Sequence, residues 1–227
     1  MLFDLRSRGR RRTVQVVYLG LAILIGGGLV LFGVGAGNGL GGLLNAFNGG
    51  GSTSGQKAVV SAQEEQAIKA TQVNPNNAAA WSNLIQARWT AAGQGANFNA
   101  STGQFTKSGL NELKLATQDW QKYLTLTKNP DPNLAVLAAR AYAGQQDYAG
   151  EASAWDIETL AAPTAVKGFE CLAVSAYAAG QTRKGDLAQA KALSLVPKAQ
   201  QALLKNQLQA AKTQPSVVSR MMTTQSE

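Results

Sequence analysis

Histidine is absent from the 227 residues, and cysteine occurs once, as Cys171. Without histidine there is no Ser-His triad, no imidazole general base and no His-containing metal centre. A single thiol excludes an intrachain disulfide and any Cys-rich zinc or iron–sulfur site. Acidic residues are also scarce: 13 Asp and Glu stand against 21 Lys and Arg, giving a formal charge of +8. No Gly-x-x-x-x-Gly-Lys-Ser/Thr run occurs, and no Gly-x-Gly-x-x-Gly lies between a strand and a helix, so no loop is built to cradle phosphate. The few acidic clusters are Glu64 with Glu65, Asp147 with Glu151, and Asp156 with Glu158. They read as solvated helix surface rather than as catalytic or metal pairs. Cys171 sits beside Leu172 on an apolar face and reads as a small buried hydrophobe. The expectation is a chain without catalysis: no enzyme, cofactor, metal or small-molecule substrate.

What is present is unevenly placed. Arg6, Arg8, Arg10, Arg11 and Arg12, opposed only by Asp4, precede a stretch from Thr13 to Gly37 that carries no charge. About 20 apolar residues cross a hydrocarbon core of roughly 30 Å as a helix. Residues 13–37 are therefore expected to be a transmembrane helix in the lipid bilayer, with the basic segment 1–12 held in the cytoplasm. Everything beyond is then extracytoplasmic. A cleaved signal peptide, with Val34-Gly35-Ala36 near the cut, is the rival reading; its apolar run is normally shorter, about 7–15 residues. Both readings export the bulk of the chain. Gly33, Gly37 and Gly41 have the spacing of a close helix contact in lipid. However, 14 of the 24 glycines fall between Gly20 and Gly55, so general glycine richness accounts for it. Residues 38–56 are a Gly-rich linker by composition, interrupted by an apolar island at 40–47.

From Lys57 the character changes. Ala, Leu, Gln and Lys dominate, β-branched runs are few, and helical spacing recurs. Helices are predicted over 61–73, 78–92, 110–127, 132–143, 148–160, 164–178, 183–195 and 198–212. Asn74-Pro75-Asn76-Asn77 separates the first two. Residues 93–106, rich in Gly and Asn, are expected to be a loop. The 57–212 region forms one helical domain, followed by a flexible tail at 213–227. Pro163 and Pro197 each close an apolar helix and lie 34 residues apart.

A 34-residue helix–turn–helix period resembles the tetratricopeptide (TPR) repeat. With the closing proline counted as position 32, Trp81 and Leu84 match positions 4 and 7 of a first repeat. Ala139, Tyr142 and Trp155 match positions 8, 11 and 24 of a second. Phe169, Leu172, Ala173, Gly180 and Ala192 match positions 4, 7, 8, 15 and 27 of a third. Glu151 and Glu158 depart from the pattern, standing where Ala is usual. An insertion lies between Ala92 and Leu110, and Pro130 and Pro132 are out of frame. The resemblance implies an all-α fold, a right-handed TPR-like superhelix of paired antiparallel helices beside the one N-terminal transmembrane helix.

The resemblance also implies a function. Single-pass bacterial envelope proteins with an external TPR domain, among them translocon ancillary subunits, act as protein-binding adaptors. The expected role is a membrane-anchored interaction module or scaffold for a protein or peptide partner, such as a translocon component or chaperone. The alternative is a structural subunit whose groove is filled by itself or a neighbour. In the repeat register the groove would present Gln86, Trp89, Asn133, Arg140, Lys167 and Tyr177. That set suits a peptide carrying a carboxylate. The competing reading puts Trp89 and Tyr177 in the core and pairs Arg140 with an acid such as Asp147. Lys184, Lys191, Lys198, Lys205 and Lys212 recur every seven residues. They are too sparse, and too free of aromatics, for a nucleic-acid surface. A solvated face is expected, with anionic headgroups the second reading.

Overall fold

A computed structural model describes residues 53–215 of the chain, with side chains from Ala62 onward. The chain divides into two units, Met1–Gln56 and Lys57–Glu227. The first lies almost wholly outside the described residues, and with it the basic segment, the expected membrane span and most of the linker. No helix among the described residues is long and apolar enough to cross a membrane.

The described residues are predominantly helical. They form α1 (Thr53–Val73), α2 (Ala78–Ala92), α3 (Lys107–Leu126), α4 (Pro132–Gly144), α5 (Tyr148–Ala161), α6 (Val166–Ala178), α7 (Thr182–Leu195) and α8 (Lys198–Thr213). Helix starts follow local chemistry. Asn77, Thr106, Asp131 and Asp147 each accept a hydrogen bond from a first-turn N–H, at Ala79, Gly109, Asn133 and Gly150. Such caps contribute about 1 kcal/mol each. The out-of-frame prolines find their reason at α4. Asp131 is its cap, and Pro132 occupies a first-turn position that has no hydrogen bond to lose. The Tyr123 hydroxyl accepts from the Asp131 N–H at 3.0 Å and ties this start to α3.

Two segments differ from the sequence expectation. α1 begins at Thr53, inside the stretch read as linker, because no proline interrupts 53–73 and an established helix extends at small cost per residue. Residues 93–106 are more than a loop. They hold a 3-10 turn (Gly95–Asn97) and a two-stranded antiparallel hairpin of β1 (Phe98–Asn99) and β2 (Gln104–Phe105), with Phe98 opposite Phe105. The rings of Phe98 and Phe105 meet edge-on at 5.2 Å, and Phe105 meets Trp89 at 6.4 Å. The insertion is thereby folded onto the end of the α2–α3 pair.

Helices pack in sequence order: α2 on α3, α4 on α5, α6 on α7, with α5 on α6 and α8 against α6 and α7. Two of these pairs share one device. Tyr142 on α4 lies over Gly150 on α5, and Tyr177 on α6 lies over Gly185 on α7. In each case a Cβ on the glycine would be driven into the ring. Only glycine lets the two backbones close over the tyrosine. The core has two main clusters. One is built on Ile85, Trp120, Leu134 and Tyr142, the other on Leu172, Val174, Tyr177, Leu204 and Leu208; Trp155 packs against both.

Candidate functional site

A recess among the described residues lies between α5 and α7. It is a cleft of about 1150 Å³, floored by Phe169 and Leu172 of α6 and walled by Leu160, Pro163 and Leu187. Leu172 is buried, but Leu160 is 82% exposed and Leu187 65% exposed. Two large exposed leucines facing one recess form a contiguous apolar surface, unlike isolated apolar residues on a protein exterior. Asp156 of α5 and Lys184 of α7 form an ion pair across one edge and fix the spacing of the walls. Arg183 also lines the cleft. The ammonium of Lys191 stands 5.8 Å from the centroid of the Phe169 ring. The arrangement holds an apolar segment and offers cations beside it.

The residues expected to line a groove differ in burial and in bonding partners. Gln86 bonds within its own helix to Ser82. Trp89 packs with Phe105 against the cluster of Ala92, Leu113 and Ala141. Asn133 is exposed in the first turn of α4. Arg140 is half-buried, and Lys167 pairs with Glu170 at 3.8 Å. Tyr177 is 5% exposed. Its hydroxyl reaches Asp186 Oδ1 at 2.8 Å and Gln189 Oε1 at 3.0 Å. Lys212 of α8 stands over the ring and bonds the same Asp186 oxygen at 2.7 Å. Burial raises the Tyr177 hydroxyl pKa well above its ordinary value, while Lys212 and then Tyr177 hold that of Asp186 down. Tyr177 is thus buried between Gly185 of α7 and Lys212 of α8, whereas Trp89 is half-buried.

A second cluster joins α1, α2 and α3. The Arg88 side chain is 12% exposed, with its Nε 2.7 Å from Asp119 Oδ2 and its Nη1 3.8 Å from Glu64 and 3.7 Å from Glu112. Three carboxylates share one guanidinium. Desolvation, followed by the charge of Glu64, raises the pKa of Glu112; desolvation raises that of Asp119 against the pull of Arg88. The cluster fastens α1 to the hairpin behind it. Among the described residues no group of His, Cys, Asp and Glu is arranged to hold a metal. Cys171 is buried, and desolvation pushes its pKa to about 12, so its thiol is inert at neutral pH.

No protein-family model and no curated protein matches the chain. The cleft residues Leu160, Phe169, Leu172 and Leu187 were not singled out as a site from sequence, because an apolar residue at helical spacing reads as core. Among the described residues, it is the exposure of Leu160 and Leu187 that distinguishes them.

Proposed function

We propose that the chain is a membrane-anchored, extracytoplasmic TPR-like module that binds another protein, as an adaptor or co-chaperone-like component of the envelope, with protein export its most natural setting. The segment 13–37 anchors it, and three helix pairs with a leading helix and a closing helix form the repeat array. The Tyr142–Gly150 and Tyr177–Gly185 contacts support the array, because the same small-against-aromatic lock recurs 35 residues on. The observation that carries the binding role is the open apolar cleft between α5 and α7. A chain with no use for that surface gains nothing by leaving Leu160 and Leu187 in water, at roughly 25 cal/mol per Å² of apolar surface. The buried position of Tyr177 favours this cleft over the groove face as the point of contact.

A photo-crosslinking amino acid at Leu187 of the full chain, activated in intact cells, tests the reading; the same group at Asn133 probes the groove face. A discrete adduct with another protein at Leu187, and none at Asn133, is expected. Adducts only at Asn133 would move the interface to the groove. Adducts only with a second copy of the chain would replace the adaptor by the structural-subunit reading. No adduct at either position would remove the binding role.

A further inference from the structure

Arg183, Leu187 and Lys191 follow one another at intervals of four along α7. They form a ridge of cation, leucine and cation, with the two cations about 12 Å apart along the axis. Arg183 and Leu187 line the cleft, and Lys191 reaches over the ring of Phe169 on its floor. Lys184 is taken by Asp156 and Lys212 by Asp186, but neither Arg183 nor Lys191 forms an ion pair among the described residues. From Thr182 to Thr213 six lysines and arginines face a single carboxylate, Asp186. The start of α7 adds the positive end of the helix dipole, and Gln181 makes no side-chain bond to cap it. The apolar cleft thus has a positive border on which Asp156 answers Lys184, while Arg183 and Lys191 are left without a paired carboxylate among the described residues.

We propose that this cleft docks an acidic amphipathic helix of a partner protein. Its apolar face lies on Leu160, Phe169 and Leu187, and two carboxylates seven or eight positions apart pair with Arg183 and Lys191. A helix rises about 1.5 Å per residue, so that spacing matches the distance between the two cations. The apolar residues three and four positions after the first carboxylate then face Leu187, the usual pattern of a helix laid in a groove. A planar lipid surface satisfies the cations but leaves the recess empty down to Leu172, which is why a helix is the better occupant. The proposal rests on the interaction-module reading and adds the chemistry of the partner.

The test uses the full chain reconstituted in phosphatidylcholine vesicles and three probes. One is a synthetic amphipathic helix with leucines on one face and glutamates flanking them at i and i+7. The second carries lysine in place of those glutamates. The third is a phosphatidylglycerol vesicle. The glutamate peptide is expected to bind at least about fivefold more tightly than the lysine peptide, with a preference that shrinks as salt is added. In the double variant Arg183→Glu/Lys191→Glu the preference should reverse, and a misfolded chain does not give such a gain. Leu187→Asp should weaken binding of the glutamate peptide. Equal binding of both peptides, or no reversal in the double variant, overturns the acidic helix. Capture of phosphatidylglycerol vesicles without either peptide, lost in the double variant, would assign the ridge to a membrane surface instead. A Leu187 crosslink to a partner combined with no charge reversal would leave the interaction module standing and remove only its acidic helix.

Discussion

Exchanging glycine for alanine inside a helix ordinarily stabilises it by about 1 kcal/mol, because glycine loses more backbone freedom on folding. At Gly185 the sign should invert. The new methyl group meets the buried ring of Tyr177, whose hydroxyl is held by Asp186 and Gln189 and whose face is covered by Lys212. The ring has nowhere to go. Gly185→Ala is expected to cost about 1–3 kcal/mol, the range for overpacking. Gln146 offers the opposite case. It turns the chain between α4 and α5 at φ 62°, while the next such turn, before α7, uses Gly180 at φ 72°. A side chain in that region costs roughly 1–2 kcal/mol, so Gln146→Gly should stabilise by about 1 kcal/mol. Urea unfolding of the two variants beside the parent reads both signs. A stabilised Gly185→Ala would mean that the tyrosine lock does not bear on stability.

At the level of the helices, boundaries were legible in the sequence wherever one residue type leaves the backbone little choice. Pro75, Asn77, Asp131-Pro132 and Pro197 place helix ends within a residue or two of where they lie. The hairpin at 98–105 was not legible. Strands of two residues have no periodicity, and what holds them is the approach of Phe98, Phe105 and Trp89, which are far apart in helical spacing. The buried position of Tyr177 was open for a related reason: the expected repeat register would put it on a groove face, whereas its burial comes from contacts between helices, with Gly185 of α7 and Lys212 of α8. The Arg88 cluster was likewise hidden, since Glu64, Arg88, Glu112 and Asp119 come from three helices. It carries a pH dependence whose sign follows from its crowding. A carboxyl whose pKa is raised by folding binds its proton more tightly in the folded state. It therefore favours folding most below its unfolded pKa, and that contribution is lost as pH rises through the folded value. Glu112 and Asp119 act in this sense above the ordinary carboxylate range, and Asp186 and Glu65, whose pKa values are lowered, act in the opposite sense at lower pH. Glu112→Gln removes one contributor. As pH rises above the ordinary carboxylate range the parent should lose stability relative to this variant, and parallel unfolding midpoints would show that the crowding has no energetic weight.

For the whole molecule, the topology expected from the five arginines before Thr13 is directly testable, and the single native cysteine makes the test clean. Cys171 is buried with its thiol protonated, so it gives little background. A cysteine placed at Lys57 should react with a membrane-impermeant maleimide in intact cells. Reaction only after lysis would put the helical unit on the cytoplasmic side and remove the envelope setting. Within that unit the two main core clusters meet at Trp155, yet each tyrosine lock closes inside its own hairpin. Tyr142 and Gly150, like Tyr177 and Gly185, are only eight positions apart in the chain. Loop-closure entropy rises with the length of chain enclosed, and local contacts are those a folding polypeptide gains first and fastest. Each hairpin can therefore seal as soon as its own residues are free to meet, without waiting for distant parts of the chain. A protein assembled from such early-closing pieces is suited to folding progressively, one end before the other.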